Sequence, residues 1–442
     1  MVRFIKTHKA YVTGLLFFVA TSAWLFLHVG GVRPHCDIDS GAYLERARLL
    51  LTTGSFRNPA SPDLPYYALG YPLFIALIQA VSRAGAGAVV LAQLLLAILN
   101  LFIIRNMTRR LFNRRAGLFA FLFAACSLGY LVFAQFVLTE LLLATLLTGC
   151  FALLFAPQTW QRSLGAGFLL GLSVIVKPAA LYCLMPLAVL WFFWHQRLAL
   201  ALIFGFALPV GGMLAHNVVV FGQCSLGALS SINLCYWFYP YLLAQEHGTT
   251  AEQERGKLMA RTGGIYQPAL IKPYLIADVS RWPYRAAWCW FTNMAKTLGG
   301  LYTTNLKVLT GAVRGGDVSF WKQEGRSVWI RMRGYLTAGA AAGWVVGVGI
   351  AEACMNVVRY CLVAVGLVAL WRRPARSECI LAMLLLGYFV AITGHDGCAR
   401  FRMLIESLLI SLAAGGLDAW LARKRSHCHE TRVHRGSGRR ER

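Results

Sequence analysis

"YVTGLLFFVATSAWLFLHVG", residues 11–30, contains no Asp, Glu, Lys or Arg. A helix rising about 1.5 Å per residue crosses about 30 Å of hydrocarbon in about 20 residues, so this run is long enough to span a bilayer. Arg3, Lys6 and Lys9 precede it, and "HCDIDSGAYLERARLLLTTG", His35–Gly54, follows it. Asp37 and Asp39 thus stand where the chain has just left the membrane. The rest of the sequence has the same character: of 442 residues, 58% are hydrophobic and 14% charged, with a mean hydropathy of +0.57. Too few polar side chains remain to cover a soluble protein of this size. An all-α polytopic membrane protein is expected.

Further apolar runs occur at Val89–Ile104, Ala116–Phe133, Leu138–Phe155, Gly165–Val176, Leu181–Trp194, Leu198–Val220, Val357–Leu370, Ile380–Ile392 and Met403–Leu421. They bring the expected count to about ten crossings, within a range of about nine to twelve. Lys and Arg gather at one set of ends: Arg105–Arg115, Arg162, Arg197, Arg372, Arg373, Arg376 and the tail from Arg423. The positive-inside rule then makes both termini cytoplasmic. Topology and anionic lipid account for the net charge of +25 better than nucleic acid does. The run at Tyr335–Tyr360 reads as an interfacial helix leading into a span, because an additional crossing would put the basic tail outside. The first run lacks a small-x-small exit, so it reads as a retained span rather than a cleavable signal. One membrane-embedded domain over 1–421 is expected, with outer loops at 31–88 and 221–335 and a basic cytoplasmic tail at 422–442. The second loop looks too compact for a separate soluble domain.

The outer face holds Asp37, Asp39, Glu45, Asp63, Glu140 and Asp396. Tyr43, Ala47, Leu50 and Leu51 recur at helical spacing, which predicts an interfacial helix with Ser40 at its cap. A second interfacial segment is "YYALGYPLFIALIQAV", Tyr66–Val81. A carboxylate at headgroup depth accepts a proton or binds a divalent cation beside a phosphate. It serves equally as a helix cap or a solvated loop residue. Glu140, just inside the outer end of a span, is expensive there unless it faces a cavity or a partner. Lys177 before Pro178, His216 with Asn217, and "HDGCARFR", His395–Arg402, add basic groups to this face. They either clamp a phosphate or, for Lys177, snorkel to the interface. Trp282, Tyr284, Trp288 and Trp290 line an acceptor groove or form an aromatic belt. The twelve Cys show no C-x-x-C spacing. Cys224 with Cys235, or Cys36 with Cys398, are the pairs open to a disulfide.

Several pieces then fall into a recognisable order. They are "DSGAY" (Asp39–Tyr43), "GYPLF" (Gly70–Phe74), "TELLL" (Thr139–Leu143), "GLSVIVKP" ending at Pro178, "HNVVVFG" (His216–Gly222) and "ARFRMLIESLLISLAAGGL" (Ala399–Leu417). This order resembles the integral membrane glycosyltransferases that use a polyprenyl-phosphate-sugar donor, such as lipid A aminoarabinose transferase and the dolichyl-phosphate-mannose protein mannosyltransferases. Lys177 and His216 stand where that pattern has Arg, and Leu69 where proline is frequent.

The resemblance implies inverting transfer from an undecaprenyl-phosphate donor to a periplasmic acceptor: lipopolysaccharide, polysaccharide or protein. It places the chain in the bacterial inner membrane, as a monomer among lipids, with no nucleic-acid partner. It makes Asp39 the general base, assisted by Asp37 and Glu140. A divalent cation, Mg or Mn, on Asp37, Asp39 and Glu140 is the one cofactor considered. Lys177, Arg400, Arg402 and His216 would hold the donor phosphate, and Tyr43, Tyr71, Asn217 and Trp282 would contact acceptor or sugar. Two other classes stay open: a lipid-linked glycan flippase or transporter, and a non-catalytic envelope-assembly subunit. The scarcity of charge in mid-span weighs against a polar transport path.

Overall fold

A computed structural model describes residues 2–28, 38–57, 67–83, 85–311, 328–337, 343–373 and 376–437. The first part comprises α1 (Val2–His28), α2 (Ile38–Thr53), α3 (Gly70–Ser82), α4 (Ala86–Leu111), α5 (Arg114–Ala125), α6 (Leu128–Phe133), α7 (Glu140–Leu154) and α8 (Trp160–Val176). A 3-10 turn at Pro178–Cys183 leads into α9 (Leu184–Phe221). Next come α10 (Leu229–Ile232), α11 (Tyr239–His247), α12 (Ala251–Arg261), α13 (Pro268–Arg281), α14 (Pro283–Gly299), α15 (Thr303–Leu309) and α16 (Val328–Thr337). The chain ends with α17 (Gly343–Trp371), α18 (Arg376–Ala391) and α19 (Glu406–Ser437). No β-strand occurs among the described residues.

Five of these segments are long and apolar enough to cross a membrane: His8–His28, Ala86–Leu111, Pro178–Phe221, Gly343–Trp371 and Arg376–His395. Gly70–Ser82, Glu140–Leu154 and Trp160–Val176 are apolar but shorter. The runs Leu181–Trp194 and Leu198–Val220 meet at His195, whose φ of −146° and ψ of 31° kink α9. α17 is continuous from Gly343, so most of the expected interfacial segment before Tyr360 belongs to a long apolar helix instead. Large apolar side chains such as Val219 and Phe193 point outward, as a lipid-facing surface requires.

Lipid tails are as apolar as leucine, so helices in a bilayer are joined by close approach and by hydrogen bonds rather than by hydrophobic burial. Both devices are present. A Cβ on Gly167 would meet the Leu202 carbonyl, and one on Gly205 the Leu164 carbonyl, so α8 and α9 touch backbone to backbone. Gly366 against Leu412 and Gly416 against Leu362 join α17 and α19 the same way. Asn100 donates to Thr145 Oγ1 at 2.7 Å and Thr108 to Ser411 Oγ at 2.8 Å, tying α4 to α7 and α19.

The long loop after α9 is more than a connector. Tyr236, Phe238, Leu242, Leu258, Ile271 and Cys289 form an apolar core of their own, separate from the main core. This small core lies within the outer loop expected at 221–335. Trp290 Nε1 donates to Ala391 O at 2.8 Å and Asn293 Nδ2 to Gly394 O at 3.0 Å, docking α14 on the turn after α18. Cys224 and Cys235 are free thiols, not a disulfide. Cys36 lies outside the described residues.

Candidate active site

Two carboxylates sit at helix starts. Asp39 lies in the first turn of α2 and Glu140 opens α7, where unpaired N–H groups and the positive end of the macrodipole favour negative charge. Between α6 and α7 the chain is irregular, and its carbonyls need donors. Gln93 Nε2 supplies Phe136 O at 2.6 Å and Ala134 O at 3.3 Å. Ser40 Oγ donates to Val137 O at 2.9 Å. Ser40 therefore links α2 to the stretch of chain before Glu140.

The "GYPLF" box holds this arrangement from below. Tyr71 is fully buried and its hydroxyl donates to Gln93 Oε1 at 2.7 Å, orienting the amide that supports the Glu140 approach. A Cβ on Gly70 would lie 2.5 Å from Ile175 O, so only glycine lets α3 press on the end of α8. That end delivers Lys177, which is extended at φ −153° and ψ 118° because Pro178 stops the helix.

Four charged side chains converge here. Lys177 Nζ lies 3.1 Å from Glu140 Oε1, and Arg400 Nε lies 3.7 Å from the same oxygen. Arg400 Nη1 reaches Asp39 Oδ2 at 3.2 Å, and the Tyr67 hydroxyl donates to Asp39 Oδ1 at 2.6 Å. The Phe401 ring centroid is 4.7 Å from Lys177 Nζ and 5.5 Å from the Arg400 guanidinium. Tyr43 packs its ring 4.9 Å from Tyr67 and 5.1 Å from Tyr71. Side-chain exposure falls from 26% at Arg400 and 21% at Asp39 to 13% at Lys177 and 4% at Glu140. Asp39 thus stands at the open edge of the cluster and Glu140 at its floor. Burial, then Asp39 and Glu140, push the Tyr43 phenol well above its ordinary range, so it stays protonated. Burial opposes charge on Arg400, but Glu140, Cys398, Asp39 and Asp396 outweigh it and raise its pKa further.

A carboxylate offers about four acceptor positions, and Tyr67 and Arg400 take two at Asp39. Capacity remains for an incoming hydroxyl proton. Among the described residues no group of three His, Cys, Asp or Glu is placed to hold a metal. Asp39 and Glu140 are instead bridged by Arg400, and the expected third ligand, Asp37, lies outside the described residues.

Other expected site residues lie elsewhere. Arg402 is fully buried in a second cluster, donating to Leu298 O at 3.0 Å and Gly300 O at 2.6 Å and pairing with Glu352 at 3.3 Å. Asn217 Nδ2 donates to Ser225 O at 2.7 Å and closes the turn after α9. Its neighbour His216 packs on Phe56 and Phe221, with centroid distances of 5.8 and 6.1 Å. Trp282 sits at the α13–α14 joint beside Arg281 and Arg285. Tyr71, expected to contact acceptor or sugar, lies beneath the cluster and supports Gln93. Tyr67, Gln93 and Phe401 are the contributors that sequence reasoning passes over. Tyr67 precedes the "GYPLF" box by three residues, and that adjacency is its only signal.

Residues 66–220 match a family model described as dolichyl-phosphate-mannose-protein mannosyltransferase. This stretch includes Tyr67, Glu140 and Lys177. Comparison with curated proteins gives no match. The apo oligosaccharyltransferase of Archaeoglobus fulgidus superposes with a TM-score of 0.54 and 12% identity, covering 97% of this chain and 52% of its own. The same enzyme tethered to an acceptor peptide gives 0.51 and 11%, covering 93% and 50%. The chain therefore spans about half the length of that enzyme, with which it shares a fold. ArnT from Cupriavidus metallidurans bound to undecaprenyl phosphate is 15% identical over 92% of this chain and 78% of its own, at a TM-score of 0.39. The resemblance to the polyprenyl-phosphate-sugar-dependent membrane glycosyltransferases is borne out by the family model over 66–220.

Proposed function

We propose that this chain moves a sugar from a polyprenyl-phosphate donor, undecaprenyl phosphate in a bacterium, to a hydroxyl of a cell-envelope acceptor, with inversion at the anomeric carbon. The observation that carries the reading is the meeting of Asp39, Glu140, Lys177 and Arg400 from four distant stretches of sequence. The described donor of the matching family, dolichyl-phosphate-mannose, supplies the substrate class. The acceptor oxygen attacks the anomeric carbon while its proton passes to Asp39. The bond from that carbon to the phosphate oxygen breaks, and its electron pair leaves on the polyprenyl phosphate. Arg400 and Lys177 neutralise that developing charge. Glu140 keeps both cations in place, and Tyr67 with Arg400 aims the base. Lipopolysaccharide, polysaccharide and protein hydroxyls are the acceptor classes.

About ten crossings, cytoplasmic termini and an outward-facing site in the inner membrane complete the proposal, supported by the distribution of Lys and Arg. Transfer of labelled sugar from a polyprenyl-phosphate donor by purified protein tests the reaction. Asp39→Asn is expected to lower the rate by about 10²–10⁴ without loss of folded protein. Undiminished transfer by that variant would falsify the assignment of the base. Thiol labelling of single Cys introduced at 41 and 54 tests orientation; modification from the cytosolic side only would overturn the outward-facing site.

A further inference from the structure

A cavity of about 500 Å³ lies between α1, α5, α6, α17 and α19, and none of Asp39, Tyr67, Glu140, Lys177 or Arg400 lines it. Its walls are apolar, with Trp24, Leu128, Trp344 and Ile410 among them, while Glu352, Asn356, Arg359, Arg402 and Glu406 form one polar end. Glu352, Asn356 and Arg359 recur at i, i+4 and i+7 on α17, which puts them on one face.

The hydrogen-bond ledger at this end does not close. Glu352 accepts from Tyr302 N at 2.7 Å, Thr303 N at 2.9 Å, Thr303 Oγ1 at 2.7 Å and Arg402 Nη2 at 3.3 Å. Glu406 accepts from Ser127 Oγ at 3.0 Å, the Tyr302 hydroxyl at 3.1 Å and Arg359 Nη1 at 2.9 Å, with Arg402 Nε 3.6 Å away. Both carboxylates are close to their full complement of about four donors. Yet Arg359 Nε, Arg359 Nη2 and Asn356 Nδ2 are buried with no acceptor among the described residues. Buried orphan donors are costly, since water cannot satisfy them. Nε and Nη2 form the side edge of the guanidinium, two parallel donors matched to two oxygens of one phosphate. The two Arg and two Glu cancel in charge, so a singly charged phosphodiester fits better than a dianion.

We propose that this cavity binds one bilayer phospholipid, its phosphodiester on Arg359 and Asn356 and a chain along Trp24 and Trp344, apart from the catalytic cluster. The lipid would brace α1 against α17 and α19. The test is native mass spectrometry of the full chain, delipidated and then titrated with palmitoyl-oleoyl phosphatidylglycerol or with diacylglycerol, which lacks the phosphate. One phosphatidylglycerol is expected to persist on the wild type, with diacylglycerol bound at least about tenfold more weakly. Arg359→Lys keeps a charge beside Glu406 but removes the parallel edge, and a loss of about tenfold or more is expected. Ala351→Trp fills the cavity while leaving the polar end intact, and it should abolish the retained lipid even if the first variant folds poorly. Equal binding of diacylglycerol would overturn the proposal. So would wild-type affinity in both variants, or one-for-one displacement by polyprenyl phosphate at equal concentration.

Discussion

Replacing Lys177 by Met removes the nearer of two cations from Glu140, a carboxylate that is 4% exposed. At 3.1 Å and an effective dielectric of about 20, the attraction lost is about 5 kcal/mol. Breaking one side of a buried pair costs about 3–5 kcal/mol in practice, because the stranded charge keeps its desolvation penalty. Arg400 remains 3.7 Å from the same oxygen and holds part of the interaction. A destabilisation of about 2–3 kcal/mol is therefore expected for Lys177→Met. Adding Glu140→Gln removes the stranded charge itself. The double variant should regain most of the loss, with a coupling energy of about 2 kcal/mol.

Activity should not follow stability. If Lys177 also meets the leaving phosphate, the double variant folds well but transfers sugar about 10²–10³ times more slowly, the usual cost of losing one charge-stabilising group. Thermal unfolding of the four proteins of the cycle, in one detergent and lipid background, gives the first quantity. Initial transfer rates give the second. A coupling energy below about 0.5 kcal/mol is additivity and would refute the ion-pair argument. Wild-type transfer by the double variant would show that Lys177 serves only to neutralise Glu140.

Tyr67→Phe deletes a charge-assisted hydrogen bond to the base, worth about 1.5–3 kcal/mol; transfer kinetics should show a fall of about ten- to a hundredfold in rate. Gly416→Ala places a methyl group against the Leu362 carbonyl, whereas Gly387→Ala meets nothing within 4 Å. The first is expected to cost about 1–3 kcal/mol or more as α17 and α19 are forced apart, and the second to be neutral, by thermal unfolding of both. In the unit after α9, burial opposes charge on Glu254, but bonds from Lys257, Thr249 and His247 prevail and hold it down to about 2. Its folded value lies below its unfolded one, so its contribution is complete above about pH 4.3. That contribution is lost as pH falls toward 2. Hydrogen exchange in α11 and α12, corrected for intrinsic rates, should accelerate from pH 5 to pH 3 in the wild type and show no such pH effect in Glu254→Gln.

Asp39, Glu140, Lys177 and Arg400 are legible in the sequence for one physical reason. An ionisable residue at the edge of an apolar run is costly, so its presence there marks a partner or a cavity before either is seen. What the sequence does not disclose is which partner. Arg400 and Arg402 look like a pair, yet they lie in a 3-10 turn, Ala399–Leu404. About 120° per residue separates side chains two apart by about 120° around the axis. One Arg therefore faces Asp39 and Glu140 while the other faces Glu352 and Glu406. The same limit hides Gln93, a polar residue inside an apolar helix with no motif around it. It matters because it donates to two carbonyls of the irregular chain before Glu140, Ala134 O and Phe136 O. It also hides the core of the unit after α9, where Tyr236, Leu258 and Cys289 meet only once several helices have formed. Charge placed against its hydropathic background is a property of one residue and its neighbours in sequence. Completion of that charge is a property of the fold, and in this chain Tyr71 and Gln93 are where the two meet: one in a box recognisable by its residues, the other visible only through the bond between them.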